Sequence, residues 1–320
     1  MKFEVSCPSK TFILGEYLVL SQGSALLANT TPRFYLRVDA TKKGTIKGIH
    51  PESPAGQWLR QHRIYIEEMD LTFRDPHNGL GGFGASSAQY LLAHLVTYIL
   101  KNQQSVIKNT EIDLSRFQVE QVWRAYRQAE TVSEEGLRPS GADVVSQSLG
   151  GLCNFRSEPF SAQSYKWPYE DYGMYLAHTG QKLPTHEHLR GLKKVDVTEL
   201  SEIFSRALDM MMVKDPGAFF ESVNDYYAEL LELGLVSEST QVTVASLMSQ
   251  PFVSAAKGCG AMGHDVVVAF ARTEYKEKVL NIFRELGLRY MACEQDFDIG
   301  VHANLDLSAQ VTEDKSPSLS

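Results

Sequence analysis

The sequence has 320 residues, of which 43% are hydrophobic, and it carries a formal net charge of −8 at pH 7. This length favours two packed lobes over one domain, and the negative charge argues against nucleic acid or an anionic membrane as the main partner. No stretch reaches the ~18 apolar residues of a membrane-spanning helix, and the N-terminus has no apolar core of signal-peptide length. We therefore expect a soluble cytoplasmic protein.

The first half of the chain predicts strands and helices around a glycine cluster. Residues 33–39 alternate apolar and polar side chains, which is typical of a half-buried strand, and residues 71–75 form a second candidate strand. A helix follows the cluster GLGGFGASS at 79–87, opened by Ser86 or Ser87. A second helix is predicted over 114–130 with Asp113 as its cap.

The second half alternates strands and helices and predicts an α+β lobe. After PSGADVVSQSLGG, read as a turn and a short helix, the candidate elements are strands at 151–156, 172–179, 266–271 and 288–293 and helices near 198–213, 217–234, 239–249 and 274–286. We place an N-terminal lobe at 1–165, a C-terminal lobe at 166–308 and a polar tail at 309–320.

The cluster at 79–87 has the composition of a phosphate-binding loop. Glycines allow the backbone to approach a phosphate closely, and a following helix directs its N-terminal N–H groups at the anion. The cluster also satisfies the dinucleotide-binding pattern GxGxxG. In such a site an acidic residue ends a second strand about 20 residues later, and the sequence there has no strand pattern, so this interpretation is weak. A Walker A motif is excluded because no lysine follows the last glycine. A plain strand-to-helix turn remains the alternative.

Two further segments are candidates for chemistry. Residues 257–265, KGCGAMGHD, precede a predicted strand and would either close over phosphates or form a simple hairpin. Residues 139–143, PSGAD, place Asp143 after a turn, where it could face a substrate hydroxyl or cap a helix. Near the N-terminus, Lys10 is either a site residue or an exposed charge.

In this order, the segments resemble those of the GHMP kinases, which include galactokinase, homoserine kinase, mevalonate kinase and phosphomevalonate kinase. The family pattern PGKxxLxGEH or GEY corresponds to residues 8–17, GLGSSAA to 82–88, PSGxD to 139–143 and KxTGAGGG to 257–264. The stretch AHTGQKLPT, ending at Thr185, is similar to the family's TGxxxST. The resemblance covers roughly residues 1–305.

The resemblance implies the two-lobe GHMP fold, with an N-terminal lobe like ribosomal protein S5 and a ferredoxin-like C-terminal lobe. It also implies ATP and Mg²⁺ as cofactors. Asp143 and Lys10 would be catalytic, with Asp143 orienting the attacking oxygen and Lys10 neutralising charge on the transferred group. The implied nucleotide-binding residues are Gly82, Phe83, Gly84, Ala85, Ser86, Ser87, Gly258, Gly260, Ala261, Met262 and Gly263.

The remaining implied residues hold the substrate and the metal. Glu16, Tyr17, Arg138, Ser140, Gly141 and Thr185 would bind substrate, with Lys182 and His186 as further candidates. Ser86 would lie near Mg²⁺. Val132 stands where mevalonate kinases have a metal-ligand glutamate, so Glu130 would take that role.

Three details are similar to the phosphomevalonate kinase branch: the Glu16-Tyr17 pair, Val144 after Asp143, and Asp265. The family has smaller residues where this chain has Cys259, Met262 and His264. Phosphomevalonate is therefore the expected substrate and mevalonate the alternative. A homoserine or sugar kinase, or a non-catalytic binding protein with this fold, would also be consistent with the pattern, as a monomer or a homodimer.

Overall fold

A computed structural model describes residues 2–40, 43–108, 111–129, 139–180 and 195–305. These residues form two main sheets packed with helices. The strands are β1 (Lys2–Leu14), β2 (Ser24–Asp39), β3 (Ile46–Lys47), β4 (Asp70–Arg74), β5 (Ile107–Lys108), β6 (Glu111–Ile112), β7 (Leu152–Arg156), β8 (Ser161–Tyr165), β9 (Tyr172–His178), β10 (Val253–Cys259), β11 (Val266–Arg272), β12 (Arg289–Cys293) and β13 (His302–Asn304).

The described helices comprise long and short segments between these strands. They are α1 (Pro54–Gln61), α2 (Arg63–Ile66), α3 (Ala85–Lys101), α4 (Gln103–Val106), α5 (Val119–Ala129), α6 (Ala142–Leu149), α7 (Thr198–Met212), α8 (Pro216–Glu232), α9 (Glu238–Met248) and α10 (Lys276–Glu285). Among the described residues, no helix combines the length and apolar character needed to cross a membrane.

The first sheet has seven strands built around the long hairpin of β1 and β2. Its order is β13-β1-β2-β4-β3, with β7 also paired to β2 and β8 to β7. The neighbours are antiparallel except β3 and β4. Strand β13 comes from the end of the described chain and pairs with β1, placing His302 opposite Ser6. The lobe boundary at 165 stays a prediction, and this last strand lies in the first sheet.

The second sheet has four antiparallel strands in the order β10-β11-β9-β12. Strands β9, β11 and β12 and helices α7 to α10 follow the predicted elements to within a few residues. Strand β10 lies in a stretch for which no strand range was predicted. One apolar cluster runs through both halves, from Leu92 and Leu95 of α3 to Phe219 of α8 and Phe270 of β11, all fully buried. This shared core fixes the two sheets relative to each other.

Two predicted helix starts are wrong. Helix α3 begins at Ala85 with Gly84 as its N-cap, before the predicted Ser86 or Ser87, because Gly84 adopts φ +84°, which glycine accepts readily. Helix α5 begins at Val119 rather than 114. Asp113 does not cap it; its carboxylate accepts a hydrogen bond from the N–H of Ser115 and closes a turn ahead of the helix.

Candidate active site

A cavity of about 490 Å³ lies where β1, the starts of α3 and α6, and the loop between β10 and β11 meet. The residues that line it come from distant parts of the sequence. They are Lys10, Thr11, Phe12, Glu16, Tyr17, Val19, Leu20, Gly79, Leu80, Gly81, Gly82, Gly84, Ala85, Ser86, Tyr126, Pro139, Ser140, Gly141, Asp143, Cys259, Gly260, His264 and Asp265.

A lysine and an aspartate form an ion pair in this cavity. Lys10 Nζ lies 3.1 Å from Asp143 Oδ2. Lys10 belongs to β1 and is only 8% exposed, so it is not a surface charge. Asp143 lies in the first turn of α6, and Gly141 occupies the N-cap position, so Asp143 is not the cap. The pair places a cation and a carboxylate at one point of the cavity wall.

Helix α3 points its N-terminus at the same point. The loop before it, residues 79–84, has left-handed backbone at Gly82 and Gly84, both with φ +84°. A Cβ on Gly84 would lie 2.9 Å from Lys10 Cγ, so only glycine allows the lysine chain to cross the loop. Ser86, in the first turn, lines the cavity. The free N–H groups of such a helix start favour an anion.

Two residues predicted to bind nucleotide lie behind this loop. Ser87 is buried and its hydroxyl donates to Gln147 Oε1 at 2.8 Å. Phe83 is also buried, and its ring stacks on His77 with centroids 4.1 Å apart. Their side chains support the loop from the core, and neither residue lines the cavity. Direct contact of these two residues with a nucleotide stays a prediction.

Gln147 is a supporting residue that the sequence analysis did not single out. Its amide nitrogen donates to the carbonyls of Pro8 at 3.0 Å and Gly84 at 3.2 Å, and its oxygen accepts from Ser87. This fully buried side chain therefore joins β1, the glycine loop and α3. A glutamine one helical turn after Asp143 on a buried helix is the only sequence signal that could have indicated it.

The segment at 257–265 divides between a strand and a loop. Lys257 to Cys259 belong to β10, and residues 260–265 form the β10–β11 loop, so the predicted hairpin and a cavity-lining loop occur together. The carboxylate of Asp265 lies against the glycine loop: a Cβ atom added to Gly81 would be 2.8 Å from Asp265 Oδ2. Gly260 lines the cavity, whereas Gly258, Met262 and Gly263 do not. The side chain of Ala261 lies outside the described part of the chain.

The predicted substrate residues are partly assembled. Glu16, Tyr17, Ser140 and Gly141 line the cavity. Glu16 also forms a buried ion pair with Lys257, with Oε1 and Nζ 2.7 Å apart. Ser140 is held from behind, since its carbonyl accepts a hydrogen bond from Trp123 Nε1 at 2.8 Å. Glu130, Arg138, Lys182, Thr185 and His186 lie outside the described residues.

The site fits the phosphates of a nucleotide and a magnesium ion carried with them. The glycine loop offers close backbone approach, and Lys10 offers a cation. Within the described ranges, no group of three or more His, Cys, Asp or Glu side chains could hold a metal alone. Mg²⁺ in kinase sites takes only one or two protein ligands beside phosphate and water, so the hydroxyl of Ser86 and a carboxylate suffice.

Comparisons with known proteins give structural matches only. No family model and no curated protein matches the sequence. The Lin0012 protein from Listeria innocua matches with a TM-score of 0.75 at 15% identity, covering 96% of this chain and 100% of that chain. The Streptococcus pneumoniae phosphomevalonate kinase in complex with phosphomevalonate and AMPPNP matches at 0.72 and 12%, covering 91% and 98%.

The Methanococcus jannaschii mevalonate kinase matches with a TM-score of 0.67 at 14% identity, covering 91% of this chain and 97% of that chain. The matched structures also include a Lactococcus lactis galactokinase and a putative Listeria monocytogenes homoserine kinase. These proteins share nearly their whole length with this chain, at identities that establish architecture alone. The chain therefore has the two-lobe α+β fold of the GHMP kinases.

Proposed function

We propose that this chain is an ATP-dependent small-molecule kinase and that phosphomevalonate is its preferred substrate. The observation that carries the proposal is the Lys10–Asp143 ion pair, which lies in the same cavity as the glycine loop and the start of α3. A phosphate-binding backbone, a cation and a carboxylate at one point are the parts that phosphoryl transfer requires.

In the proposed mechanism, the protein supplies position and charge. The backbone of residues 82–86 and the N-terminus of α3 hold the β and γ phosphates of ATP. Lys10 neutralises charge that develops on the transferred group, and Asp143 orients the attacking oxygen and accepts its proton where that oxygen is a hydroxyl. Phosphomevalonate attacks through a phosphate oxygen, so orientation matters more than basicity for that substrate.

Mg²⁺ would be held by Ser86 and, as the sequence suggests, by Glu130, and would neutralise the triphosphate charge when bound. Asp265 is another carboxylate in the cavity, next to Gly81 and Gly82. A carboxylate beside a triphosphate is unfavourable without a cation between them, which supports metal-bound rather than free nucleotide as the ligand.

The choice of phosphomevalonate is supported by the Glu16-Tyr17 pair, by Val144 after Asp143 and by Asp265, which resemble that branch of the family. The similarity to the Streptococcus pneumoniae enzyme solved with phosphomevalonate and AMPPNP is consistent with it. Arg138 and Lys182 are candidates for the phosphate end of this substrate.

Mevalonate is the second candidate because of the charges on the described wall. Lys10 is the single lysine or arginine there, beside the carboxylates of Asp143 and Asp265. The third carboxylate of the wall, that of Glu16, is already paired with Lys257. A substrate with one negative charge meets less repulsion in such a cavity than a substrate with several. The choice between the two substrates therefore depends on cations outside the described part of the wall.

A coupled ADP-release assay tests the proposal, with phosphomevalonate, mevalonate, homoserine and galactose as acceptors. We expect kcat/KM for phosphomevalonate to exceed that of each other acceptor by at least about tenfold, a difference typical of one extra charged contact. Preference for mevalonate would overturn the choice of substrate. If the protein neither binds AMPPNP in calorimetry nor turns over any acceptor, the proposed kinase activity is overturned, and a non-catalytic protein with this fold is the remaining interpretation.

A further inference from the structure

Three consecutive residues after β1 bind three different elements of the second half of the chain. The contacts are Gly15 N to Tyr226 Oη of α8 at 3.2 Å, Glu16 Oε1 to Lys257 Nζ of β10 at 2.7 Å, and Met262 N of the β10–β11 loop to Tyr17 Oη at 2.8 Å. The sequence analysis expected Glu16 and Tyr17 to contact substrate. Both residues line the cavity, so that expectation stays a prediction, and their polar atoms hold the two halves together.

The contact to Met262 falls at a strained point of the loop. Met262 has φ 56° and ψ 9°, a left-handed conformation that costs a residue with a side chain about 1–2 kcal/mol. Both of its peptide groups are held. Its N–H donates to the hydroxyl of Tyr17, and its carbonyl accepts a hydrogen bond from Ser237 N at 3.1 Å. Such a conformation persists only where surrounding contacts stabilise it.

The same loop continues into the cavity wall. The carbonyl of Gly263 accepts a hydrogen bond from Thr240 Oγ1 at 3.1 Å, and His264 and Asp265 line the cavity. Asp265 packs directly against the glycine loop: a Cβ atom added to Gly82 would lie 3.0 Å from the Cβ atom of Asp265. A shift of the turn at Met262 would therefore alter the gap between the two loops.

We propose that Tyr17 is a positioning residue whose hydroxyl holds the left-handed turn at Met262 and thereby sets the β10–β11 loop against the glycine loop for nucleotide binding. This inference rests on the proposed use of ATP. The hydroxyl has little freedom to serve a substrate, because it accepts from Met262 N and donates to the carbonyl of Leu235 at 3.4 Å. Tyr17 therefore acts on the nucleotide through the loop.

The phenol is suited to this role because it stays neutral. The side chain is 6% exposed. Burial raises the pKa of Tyr17 well above its ordinary value, the neighbouring charge of Glu16 raises it further, and the hydrogen bond from Met262 opposes these effects. The hydroxyl consequently keeps its proton throughout the pH range of an assay.

Tyr17→Phe tests the proposal, with Tyr169→Phe as the matched control. Tyr169 is also 6% exposed, and its hydroxyl has no hydrogen-bond partner among the described residues. The control therefore removes a tyrosine hydroxyl without breaking a hydrogen bond. We expect Tyr17→Phe to raise the dissociation constant of AMPPNP about three- to tenfold, the size of one lost hydrogen bond. The kcat at saturating ATP should change less than about twofold.

Amide hydrogen exchange of residues 260–265 in the nucleotide-free protein gives a second readout. Exchange there should accelerate in Tyr17→Phe and stay unchanged in Tyr169→Phe. Adding Met262→Gly to Tyr17→Phe should recover part of the AMPPNP affinity, because glycine adopts the left-handed turn without strain. A residue that bound the nucleotide directly would not be rescued by that change.

The two proposals fail differently. If the wild-type protein binds no nucleotide, the proposed function is wrong, and hydrogen exchange still decides whether Tyr17 holds the loop. If Tyr17→Phe leaves exchange at 260–265 unchanged, the positioning role is overturned whatever the activity. An increase in the KM of the phosphoryl acceptor alone, with unchanged AMPPNP affinity, would assign Tyr17 to the substrate and overturn it too.

Discussion

Lys10 Nζ lies 3.1 Å from Asp143 Oδ2, although β1 and α6 are far apart in the chain. The lysine is almost fully buried, and about a third of the aspartate side chain is exposed to the cavity. The pair is therefore anchored on one side and open on the other, which is the arrangement expected of two groups that act on a bound molecule.

Asp143→Asn should preserve the shape of the side chain and remove its charge. With phosphomevalonate we expect kcat to fall by about 10²-fold, the cost of a misplaced attacking oxygen. With mevalonate, whose hydroxyl must lose a proton, we expect a fall of about 10²- to 10⁴-fold, the range typical of a lost general base. The dissociation constant of AMPPNP should stay nearly unchanged. Kinetics in the ADP-release assay and calorimetry measure the two effects, and near-normal turnover would remove Asp143 from the mechanism.

Lys10→Met should lower kcat by about 10²- to 10³-fold, because the transferred group loses the cation that stabilises it. Lys2→Met is the matched control. Lys2 lies on the same strand as Lys10 and pairs with Asp39 of β2 at 3.3 Å, but its side chain is 64% exposed. Such exposed pairs contribute little, so the control should keep its activity. Equal losses in both variants would contradict a specific role for Lys10.

Gly84→Ala and Gly287→Ala separate backbone strain from contact in the site. Both glycines have left-handed backbone, with φ +84° and +69°, so each change should lower the free energy of unfolding by about 1–2 kcal/mol. A Cβ added at Gly84 would lie 2.9 Å from Lys10 Cγ, whereas a Cβ added at Gly287 would have no atom of the described residues within 4 Å. Only Gly84→Ala should therefore weaken AMPPNP binding. Urea unfolding and calorimetry check this, and equal binding by both variants would contradict the close contact.

Lys257→Met should destabilise the fold by about 3–5 kcal/mol, because it leaves the carboxylate of Glu16 buried without its cation. The two side chains are 0% and 3% exposed, so water cannot replace the lost partner. Adding Glu16→Gln should recover part of the loss by removing the unpaired charge. Urea unfolding measures both, and a double variant less stable than Lys257→Met would contradict the explanation.

The free energy of unfolding should decrease as the pH is lowered from about 6.5 to about 4. Burial lowers the pKa of His77 to about 4, the positive charge of Arg289 adds to the decrease, and Asp75 opposes it. The unfolded chain therefore binds a proton in this range that the folded chain does not, and acid favours unfolding. His94 contributes in the same direction, since its pKa is also lowered to about 4.

His77→Gln should flatten this dependence in urea unfolding measured across that pH range. The ring of His77 stacks on Phe83 and lies 2.6 Å from Ser9 Oγ, so the variant also tests the support of the glycine loop. An unchanged slope would show that His77 titrates alike in the folded and unfolded chains.

The sequence by itself determined most elements of the fold and the residue types of the site. The alternation in 33–39 and the helical spacing after 87 report burial on one face, which is a local property of the chain. The motif order also indicated that Lys10, the glycine loop and Asp143 belong together. The helix starts were less well predicted, because a left-handed Gly84 and a turn at Asp113 compete with the usual capping residues.

Only the tertiary structure decided what the motif residues contact. Glu16 and Tyr17 stand next to each other in a motif, yet their polar atoms bind Lys257 and Met262 from the second half of the chain. Gln147 joins three elements that no periodicity relates. Hydrophobic pattern fixes which face of a segment is buried, but a hydrogen bond between distant segments depends on where packing brings them, and that information is in the fold.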